Sequence, residues 1–415
     1  MTSLDAGAVE QAAARLTGVI DVSPVQRNAR LSARVDGDVW LKREDLQLVR
    51  SYKARGAYNV IAQLDESARS AGVVTASAGN HAQGLAYACS ALQVSGRVYV
   101  PRTTPRQKRA RIAALGGEAV ALRVVGDTYE DAALAARKDA ARTGATLVPA
   151  FDDPRTIAGQ GTVVLEALAQ LPAVPDLVVL PVGGGGLLAG ALLWLCERHP
   201  AVRVVGVEPA GAASMTAALS AGRPVDLEVL DSFVDGAAVR RAGEITFPVI
   251  RDGGAQLVTV PEGRVCTEML ELYASDGIIA EPAGALAASA LGQAVQPPAG
   301  AMTLCVLSGG NNDVSRYAEV VERSLVHEGH KHYFLVDFPQ EPGALRRFLD
   351  EVLGPDDDIT LFEYVKRNNR ETGPALVGIE LGRPEDLAPL LARMEAAPPH
   401  ITRVPPDSPL FRFLL

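Results

Sequence analysis

The sequence predicts an α/β protein whose larger part has two lobes, each built on an open parallel sheet, followed by a small ferredoxin-like α+β domain. Short runs of β-branched residues alternate with helical stretches from the start of the chain to about residue 320, as is typical of parallel sheets. A second pattern, βαββα, begins at residue 333. The chain has 415 residues, of which 48% are hydrophobic and 21% are charged. This composition indicates a globular protein with room for two or three domains.

The elements of the first lobe follow one another in a regular order. Strands are expected at residues 38–42, 73–76, 96–101 and 119–124, and helices at residues 53–64, 79–92, 105–115 and 129–142. The third of these helices carries Arg106, Lys108, Arg109 and Arg111. We interpret this basic cluster as a solvated face.

The second lobe and the C-terminal domain continue the pattern. Strands of the second lobe are expected at residues 177–182, 203–207, 256–260 and 302–307. The C-terminal domain is expected to contain elements at residues 333–338, 342–352, 359–366, 375–381 and 384–396, with a last strand near 401–404. We therefore divide the chain into a catalytic unit at 1–325, a linker at 326–332 and a second domain at 333–415. His327, His330 and His332 are interpreted as exposed linker histidines, because no acid accompanies them as a metal ligand would.

Composition excludes several classes of function. A net charge of −9 with scattered basic residues argues against a nucleic-acid partner. The longest apolar stretches are too short or too rich in glycine to span a membrane, and the N-terminus lacks the features of a signal peptide, so we expect a cytoplasmic protein. Cys89, Cys196, Cys266 and Cys305 lie far apart and are interpreted as reduced core residues, with neither disulfides nor a metal site.

Residues 49–56 contain the strongest candidate for covalent chemistry. Lys53 stands at the start of a predicted helix, directly after Tyr52. Its amine can form a covalent bond with an aldehyde, and the helix N-terminus and Arg55 would help to lower its pKa towards the free amine. The alternative is that Lys53 is a solvated charge at a helix start.

A turn between a predicted strand and helix forms a candidate anion site. It contains Ser77, Ala78, Gly79, Asn80 and His81, whose backbone N–H groups would suit a substrate carboxylate. The Asn80 amide can donate to an oxyanion, whereas His81 is interpreted as a packed polar residue. The alternative is a tight turn that caps the helix.

A second such turn, with four consecutive glycines, predicts a phosphate site. Gly183, Gly184, Gly185, Gly186 and Leu187 offer N–H groups that no side chain obstructs.

The same loop supports a rival hypothesis of an NAD-binding oxidoreductase. Gly184, Gly186 and Ala189 satisfy a dinucleotide fingerprint, and Glu208 stands where a ribose-binding acid would lie. An NAD-binding oxidoreductase would not explain the pattern at residues 49–56 around Lys53.

A third turn follows the strand at 302–307 and begins with Ser308. Its hydroxyl could bond a neutral pyridine nitrogen, which suits chemistry such as β-elimination that needs moderate carbanion stabilisation. The alternative is a glycine turn capped by a serine.

Together these motifs resemble the biosynthetic threonine dehydratases, pyridoxal-phosphate enzymes of fold type II with a tryptophan synthase β-like fold. The resemblance is carried by residues 42–47, 51–57, 77–84, 158–162, 183–186, 281–285 and 308–311. It implies pyridoxal 5'-phosphate as cofactor, held covalently by Lys53, which also takes the α-proton. It further implies that the cofactor is contacted by Tyr52, Asn80, Gly183 to Leu187, Glu281 and Ser308.

The resemblance also implies a reaction. L-Threonine would bind with its carboxylate on Ser77 to His81 and would be converted to 2-oxobutanoate and ammonia, the first committed step of isoleucine biosynthesis. L-Serine would give pyruvate as a side activity. In related serine racemases a serine stands at the position of Ala78, so racemisation is not expected here. Relatives that bind divalent metals have a second acid where this chain has Ser214, so at most a monovalent cation is expected near Glu208.

The C-terminal domain resembles the ACT-like regulatory domains of the biosynthetic branch. This implies an isoleucine or valine effector. A homo-oligomer, dimer or tetramer, is also expected, and the alternative for the domain is a purely assembling role.

Overall fold

The computed structural model describes residues 4–366, 369–406, 408 and 410–411. The chain divides into two compact units, Met1–Asp313 and Val314–Leu415. Within the described ranges, no helix is long and apolar enough to cross a membrane.

The larger unit alternates helices and strands through most of its length. Its helices are α1 Ala6–Leu16, α2 Ala29–Val35, α3 Lys53–Ala62, α4 Glu66–Ala71, α5 Asn80–Leu92, α6 Arg106–Gly116, α7 Tyr129–Thr143, α8 Pro154–Leu168, α9 Gly186–Arg198, α10 Ser214–Ala221, α11 Thr246–Asp252, α12 Glu262–Asp276 and α13 Pro282–Ser289. Its strands are β1 Val25–Arg27, β2 Asp38–Arg43, β3 Val73–Ala76, β4 Gly96–Val100, β5 Val120–Val124, β6 Thr146–Leu147, β7 Leu177–Pro181, β8 Arg203–Pro209, β9 Gln256–Val260 and β10 Met302–Leu307.

Two sheets confirm the predicted two-lobed α/β fold. The larger sheet has the order β1-β2-β10-β7-β8-β9 and is parallel except for β1, which runs antiparallel to β2. The smaller sheet has the order β5-β4-β3-β6 and is parallel throughout. Each sheet is accompanied by its own cluster of buried apolar side chains.

The topology of the larger sheet brings together turns that are far apart in sequence. Strands β7 and β10 are parallel neighbours, and β10 also pairs with β2 in parallel. The glycine loop after β7 and Ser308 after β10 therefore leave the sheet at the same edge, where ligands bind in open α/β sheets. The chain after β2 leads from this edge towards Lys53.

Helix α8 was not assigned from the sequence, although the motif at residues 158–162 lies inside it. Asp153 caps its N-terminus and Pro154 occupies the first helical turn, a recognisable start signal. Glycines allow it to approach two other helices closely. A Cβ at Gly159 would lie 2.8 Å from the Arg55 carbonyl oxygen in α3, and a Cβ at Gly161 would lie 2.5 Å from the Gly190 carbonyl oxygen in α9.

A buried ion cluster joins β2, α3 and α8. Arg55 donates to both oxygens of Glu44 and to both oxygens of Glu166, over distances of 2.8 to 3.0 Å. Lys42 also donates to Glu166 and to the Ser23 carbonyl oxygen. Burial lowers the pKa of Lys42 and would by itself raise that of Glu44, but Arg55 and Lys42 hold the pKa of Glu44 below its usual range.

The second unit confirms the predicted ferredoxin-like domain. It contains α14 Tyr317–His327, β11 Lys331–Pro339, α15 Ala344–Glu351, β12 Asp358–Tyr364, β13 Thr372–Glu380, α16 Leu387–Ala396 and β14 His400–Val404. The sheet is antiparallel with the order β12-β13-β11-β14. Its core combines sheet residues such as Phe334 and Val377 with Phe348 of α15 and Leu390 of α16.

Two expectations about this region and the cysteines were wrong. His332 is not an exposed linker histidine, because β11 begins at Lys331 and His332 lies buried within this strand, whereas His327 at the end of α14 is exposed as expected. His332 Nε2 lies 2.9 Å from the Gly329 carbonyl oxygen. Cys196 is exposed at the polar end of α9, whereas the other three cysteines are buried as expected.

The contact between α8 and α9 generates a stability prediction. In Gly190→Ala the new methyl group would lie 2.3 Å from the Ile157 carbonyl oxygen, so α9 must shift. We expect a loss of about 1 to 3 kcal/mol in the free energy of unfolding, measured by denaturant titration. Gly7→Ala is the matched control, since its methyl group meets only the Asp5 side chain at 3.2 Å. Because alanine favours helix, this control should not lose stability, and an equal loss in both variants would contradict the packing argument.

Candidate active site

A cavity of about 610 Å³ lies in the larger unit and collects most of the predicted site residues. The predicted residues that line it are Tyr52, Lys53, Ser77, Ala78, Gly79, Asn80, His81, Gly183, Gly184, Gly185, Gly186, Leu187 and Glu281. Its size suits a small organic ligand. Ser308 is absent from its lining.

Lys53 is fixed at the start of α3 by backbone contacts to the turn after β10. The Tyr52 N–H donates to the Ser308 carbonyl oxygen over 3.2 Å, and Ser51 forms a β-bridge with Gly309. The Lys53 amine donates to the Ala150 carbonyl oxygen at 3.3 Å and lies 5.1 Å from the centre of the Tyr52 ring. Among the described residues, no carboxylate lies within ion-pair distance of this amine. Lys53 is therefore a partly buried lysine whose amine has a backbone carbonyl oxygen, and no acid, as its partner in the described chain.

Asn80 lies in a chain of side-chain hydrogen bonds beside the cavity. Asn311 donates to the Asn80 oxygen at 2.7 Å, and the Asn80 nitrogen donates to Glu281 Oε1 at 2.5 Å. An amide nitrogen carries two N–H groups, so one of them stays available to a ligand. Burial raises the pKa of Glu281 to about 7, with a further contribution from the charge of Asp235.

The turn at residues 77–81 has the geometry of an anion site. Helix α5 begins at Asn80, and the Gly79 N–H donates to Ser77 Oγ at 3.3 Å. Within the described chain, the N–H groups of Ala78, Asn80 and His81 have no acceptor, as is usual for a first helical turn. His81 is buried, its Nε2 lies 2.9 Å from the Val148 carbonyl oxygen, and burial together with the charge of Lys53 lowers its pKa to about 4. It is a neutral packed residue, as predicted.

The glycine loop is the second array of free N–H groups. None of the N–H groups of residues 183–187 has an acceptor in the part of the chain that the structure covers, and Gly185 has a φ of +92°. A Cβ at Gly184 would lie 2.4 Å from the Phe151 ring, so no other residue fits there. The loop therefore presents an unobstructed backbone surface to the cavity, which suits a phosphate.

The Ser308 hydroxyl makes a contact that its predicted role does not include. This hydroxyl is buried and donates to the Ala283 carbonyl oxygen at 3.1 Å. This contact joins the end of β10 to α13. A contact between Ser308 and a pyridine nitrogen stays a prediction.

Glu208 does not support the dinucleotide hypothesis. The side chain is fully buried and accepts from the Met215 N–H at 2.7 Å and from the N–H and hydroxyl of Thr216. It thereby caps α10 and does not line the cavity. The described residues contain no cluster of three or more metal-ligating side chains, and a monovalent cation near Glu208 stays a prediction.

The basic cluster on α6 is only partly a solvated face. Arg106 and Arg111 are exposed, but Lys108 lines the cavity and pairs with Asp235 at 2.6 Å. Lys108 belongs to the smaller lobe and Asp235 follows α10 in the larger one, so only the fold could bring them together.

Sequence reasoning also missed the segment from Ala150 to Asp152. Ala150 contacts the Lys53 amine and Phe151 packs under the glycine loop. The Asp-Pro start signal of α8 was the available sequence signal, but it indicates a helix and not a site.

The site as a whole fits an aldehyde cofactor that carries a phosphate. The glycine loop matches the phosphate, because its N–H groups have no acceptor among the described residues and no side chain covers them. The Lys53 amine has one carbonyl partner and no acidic partner among the described residues, so it is suited to form a covalent bond with the aldehyde. The free N–H groups at residues 77–81 form a second array that could bind another anionic group.

Comparisons with known families cover nearly the whole chain. Residues 16–309 match the family described as pyridoxal-phosphate dependent enzyme. Residues 322–414 match the family described as the C-terminal regulatory domain of threonine dehydratase.

Individual proteins agree with these matches. The chain is similar to the biosynthetic L-threonine dehydratase IlvA of Mycobacterium bovis, at 62% identity over 100% of this chain and 96% of the relative. It is similar to the structure of the processed form of threonine deaminase isoform 2 from Solanum lycopersicum, with a TM-score of 0.71 at 35% identity, over 77% of this chain and 94% of the other. Maize serine racemase has the same TM-score of 0.71 at 30% identity, over 79% and 99% of the two chains.

The raised pKa of Glu281 generates a prediction for stability against pH. An acid whose pKa is raised in the folded protein binds protons more tightly there than in the unfolded chain, so stability falls as the pH rises from the unfolded pKa towards about 7. The variant Glu281→Gln lacks this titration. The stability of the cofactor-free wild type relative to this variant should therefore fall by about 2.5 kcal/mol between pH 5 and pH 8.

Denaturant titrations at several pH values measure this difference. Glu130→Gln, at an exposed position of the cavity lining, controls for the loss of one carboxylate. If the difference in the free energy of unfolding between wild type and Glu281→Gln stays constant with pH, the Glu281 carboxyl has the same pKa in the folded and the unfolded protein, which would contradict the prediction.

Proposed function

We propose the function of this chain from one premise: it belongs to the pyridoxal-phosphate-dependent enzymes and, among them, to the biosynthetic threonine dehydratases. It is a pyridoxal-phosphate-dependent lyase that dehydrates and deaminates L-threonine to 2-oxobutanoate and ammonia. This is the first committed step of isoleucine biosynthesis. We expect it to act in the cytoplasm.

One observation carries the assignment of the site. The Lys53 amine faces a cavity without an acid partner, and two separate arrays of free N–H groups line the same cavity. A lysine that attaches an aldehyde needs such an environment, and a substrate carboxylate and a cofactor phosphate need one anion site each.

We assign the cofactor contacts as follows. Gly183 to Leu187 would hold its phosphate, Lys53 would attach its aldehyde carbon, and Tyr52 would contact its ring. Asn80 would donate its free N–H to the phenolic oxygen, with its amide oriented by Glu281. Ser308 would bind the ring nitrogen with its hydroxyl, in place of its present contact with the Ala283 carbonyl oxygen. When bound there, pyridoxal phosphate supplies an electron-accepting ring that stabilises negative charge on the substrate α-carbon.

The residues of the chain would do the remaining work. The N–H groups of Ser77 to His81 bind the substrate carboxylate and fix the α-carbon near Lys53. The Lys53 amine would take the α-proton. The α-proton and the β-hydroxyl together make up the water that is lost, and a second water would hydrolyse the resulting enamine to 2-oxobutanoate and ammonia. The pKa of His81 is about 4, so its imidazole is neutral at pH 7 and adds no positive charge to the site.

Two related activities follow from the same site. L-Serine lacks the methyl group of threonine but has the leaving hydroxyl, and we propose it as a poorer substrate that gives pyruvate. Racemisation needs a second base on the opposite face of the substrate, and Ala78 offers none.

The test of the function combines a spectrum with an assay. Purified protein should absorb as a bound aldehyde cofactor, respond to L-threonine and release 2-oxobutanoate. Lys53→Ala should lower kcat by at least about 10³-fold while the fold persists, because attachment and proton transfer both use this amine. Lys138→Ala, on the exposed face of α7, is the control and should keep full turnover. Binding of NAD without aldehyde absorbance would overturn the lyase assignment.

We propose that the C-terminal unit binds isoleucine, with valine as a competing ligand, and so lowers the affinity for threonine. The turn after β11 leads through Gly343, at a φ of +88°, into α15. A recess lined by Pro339, Ala344 and Phe348 lies between this helix and residues 397–399. Its volume is only about 10 Å³ and its lining includes Arg347 and Glu351, so a branched aliphatic side chain would enter only after α15 moved apart from residues 397–399. We also propose that the chain forms a dimer or tetramer.

The regulatory proposal predicts a reciprocal effect. Isoleucine should raise the threonine concentration needed for half-saturation by roughly 5- to 150-fold, and a non-reactive threonine analogue should weaken isoleucine binding by the same factor, because coupling is reciprocal. Saturation kinetics and calorimetry of the full-length protein measure both effects, with D-isoleucine as control. If neither isoleucine nor valine shifts either curve, and truncation after Glu328 changes the oligomer mass but not the activity, the unit serves assembly.

A further inference from the structure

The glycine loop is held from behind by a side chain that no motif includes. The Thr246 hydroxyl is fully buried and donates to the Gly184 carbonyl oxygen at 2.7 Å. Thr246 is the first residue of α11 and does not line the cavity. It therefore contacts the loop on the side away from the site.

This contact fixes the direction of an N–H group. The peptide bond between Gly184 and Gly185 is trans, so its carbonyl and its N–H point in opposite directions. Because the carbonyl points back to Thr246, the Gly185 N–H points towards the cavity. Without the Thr246 hydroxyl this plane could rotate, since glycine on both sides gives little resistance.

Asp152 in turn fixes Thr246. Its Oδ2 accepts from the Glu244 N–H at 2.9 Å, and its Oδ1 accepts from the Ile245 N–H at 2.8 Å and the Thr246 N–H at 3.3 Å. A Cβ at Gly243 would lie 2.3 Å from Asp152 Oδ1, so the glycine there permits the close approach. The carboxylate thus orders the start of α11 from a segment more than ninety residues earlier.

We propose that Asp152 and Thr246 are positioning residues that preorganise the glycine loop for the phosphate of the cofactor. Asp152 sets the backbone of residues 244–246, Thr246 sets the Gly184 carbonyl, and the peptide plane aims the Gly185 N–H at the phosphate. Neither side chain touches the ligand. The inference deepens the proposed function and rests on it.

The proposal makes a prediction that depends on the phosphate alone. In Thr246→Val the shape is kept but the hydroxyl is lost, so the affinity for pyridoxal 5'-phosphate should fall about ten-fold, the effect of roughly one well-placed hydrogen bond. The affinity for pyridoxal, which has no phosphate, should change less than about two-fold. Thr246→Ser keeps the hydroxyl and should retain the wild-type ratio of the affinities for pyridoxal 5'-phosphate and pyridoxal. Asp152→Asn, which keeps one acceptor oxygen, should show the same selective loss to a smaller degree.

The measurement is a titration of the full-length, cofactor-depleted protein with each compound, followed by absorbance. Thr267→Val is the matched control, because this buried threonine also donates to a backbone carbonyl, that of Gly263, but within α12. It should leave the ratio of the two affinities unchanged. An unchanged ratio in Thr246→Val, or equal losses for both compounds, would overturn the inference. Failure of the wild type to bind pyridoxal phosphate would instead overturn the proposed function.

Discussion

The buried ion cluster around Arg55 is the constraint on which the geometry of the site depends. Residues two apart on an α-helix point in nearly opposite directions, about 200° around the axis. When Arg55 is held by Glu44 and Glu166, α3 can adopt only one rotation, and that rotation turns Lys53 towards the cavity. Removing one partner of such a pair costs about 3 to 5 kcal/mol, because the other charge stays buried. The cluster therefore orients Lys53 as well as stabilising the fold.

Glycines complete this constraint by bringing backbones together. A Cβ at Gly84 would lie 2.8 Å from the Ala54 nitrogen, so α5 packs directly on the start of α3. On the other side of α3, Gly159 of α8 meets the backbone of Arg55. The substrate turn that precedes α5 and the lysine segment are thus held at a fixed separation by main-chain contacts.

The two arrays of free N–H groups that line the cavity come from different lobes. The turn at residues 77–81 follows β3 of the smaller sheet, and the glycine loop follows β7 of the larger sheet. Both use the same physical device, free N–H groups where a helix begins, which binds anions without burying a charged side chain. The Lys53 amine donates to the Ala150 carbonyl oxygen, and the next residue, Phe151, packs against the glycine loop, so one short stretch of chain contacts both.

The sequence alone determined the local features of this protein. The strands at β3, β4 and β10, the start of α3 at Lys53 and the two glycine turns were predicted because each depends on neighbours in the chain, through β-propensity, capping and backbone freedom. Only the tertiary structure decided which distant residues meet. Sequence spacing could not show that Glu281 would lie against Asn80, that Lys108 would pair with Asp235, or that Asp152 would order the start of α11. It also misjudged His332, whose local pattern indicated an exposed linker, and it left a ribose-binding role open for Glu208. Burial and hydrogen bonding fix their roles, and these arise only when the parallel strands and their crossovers assemble.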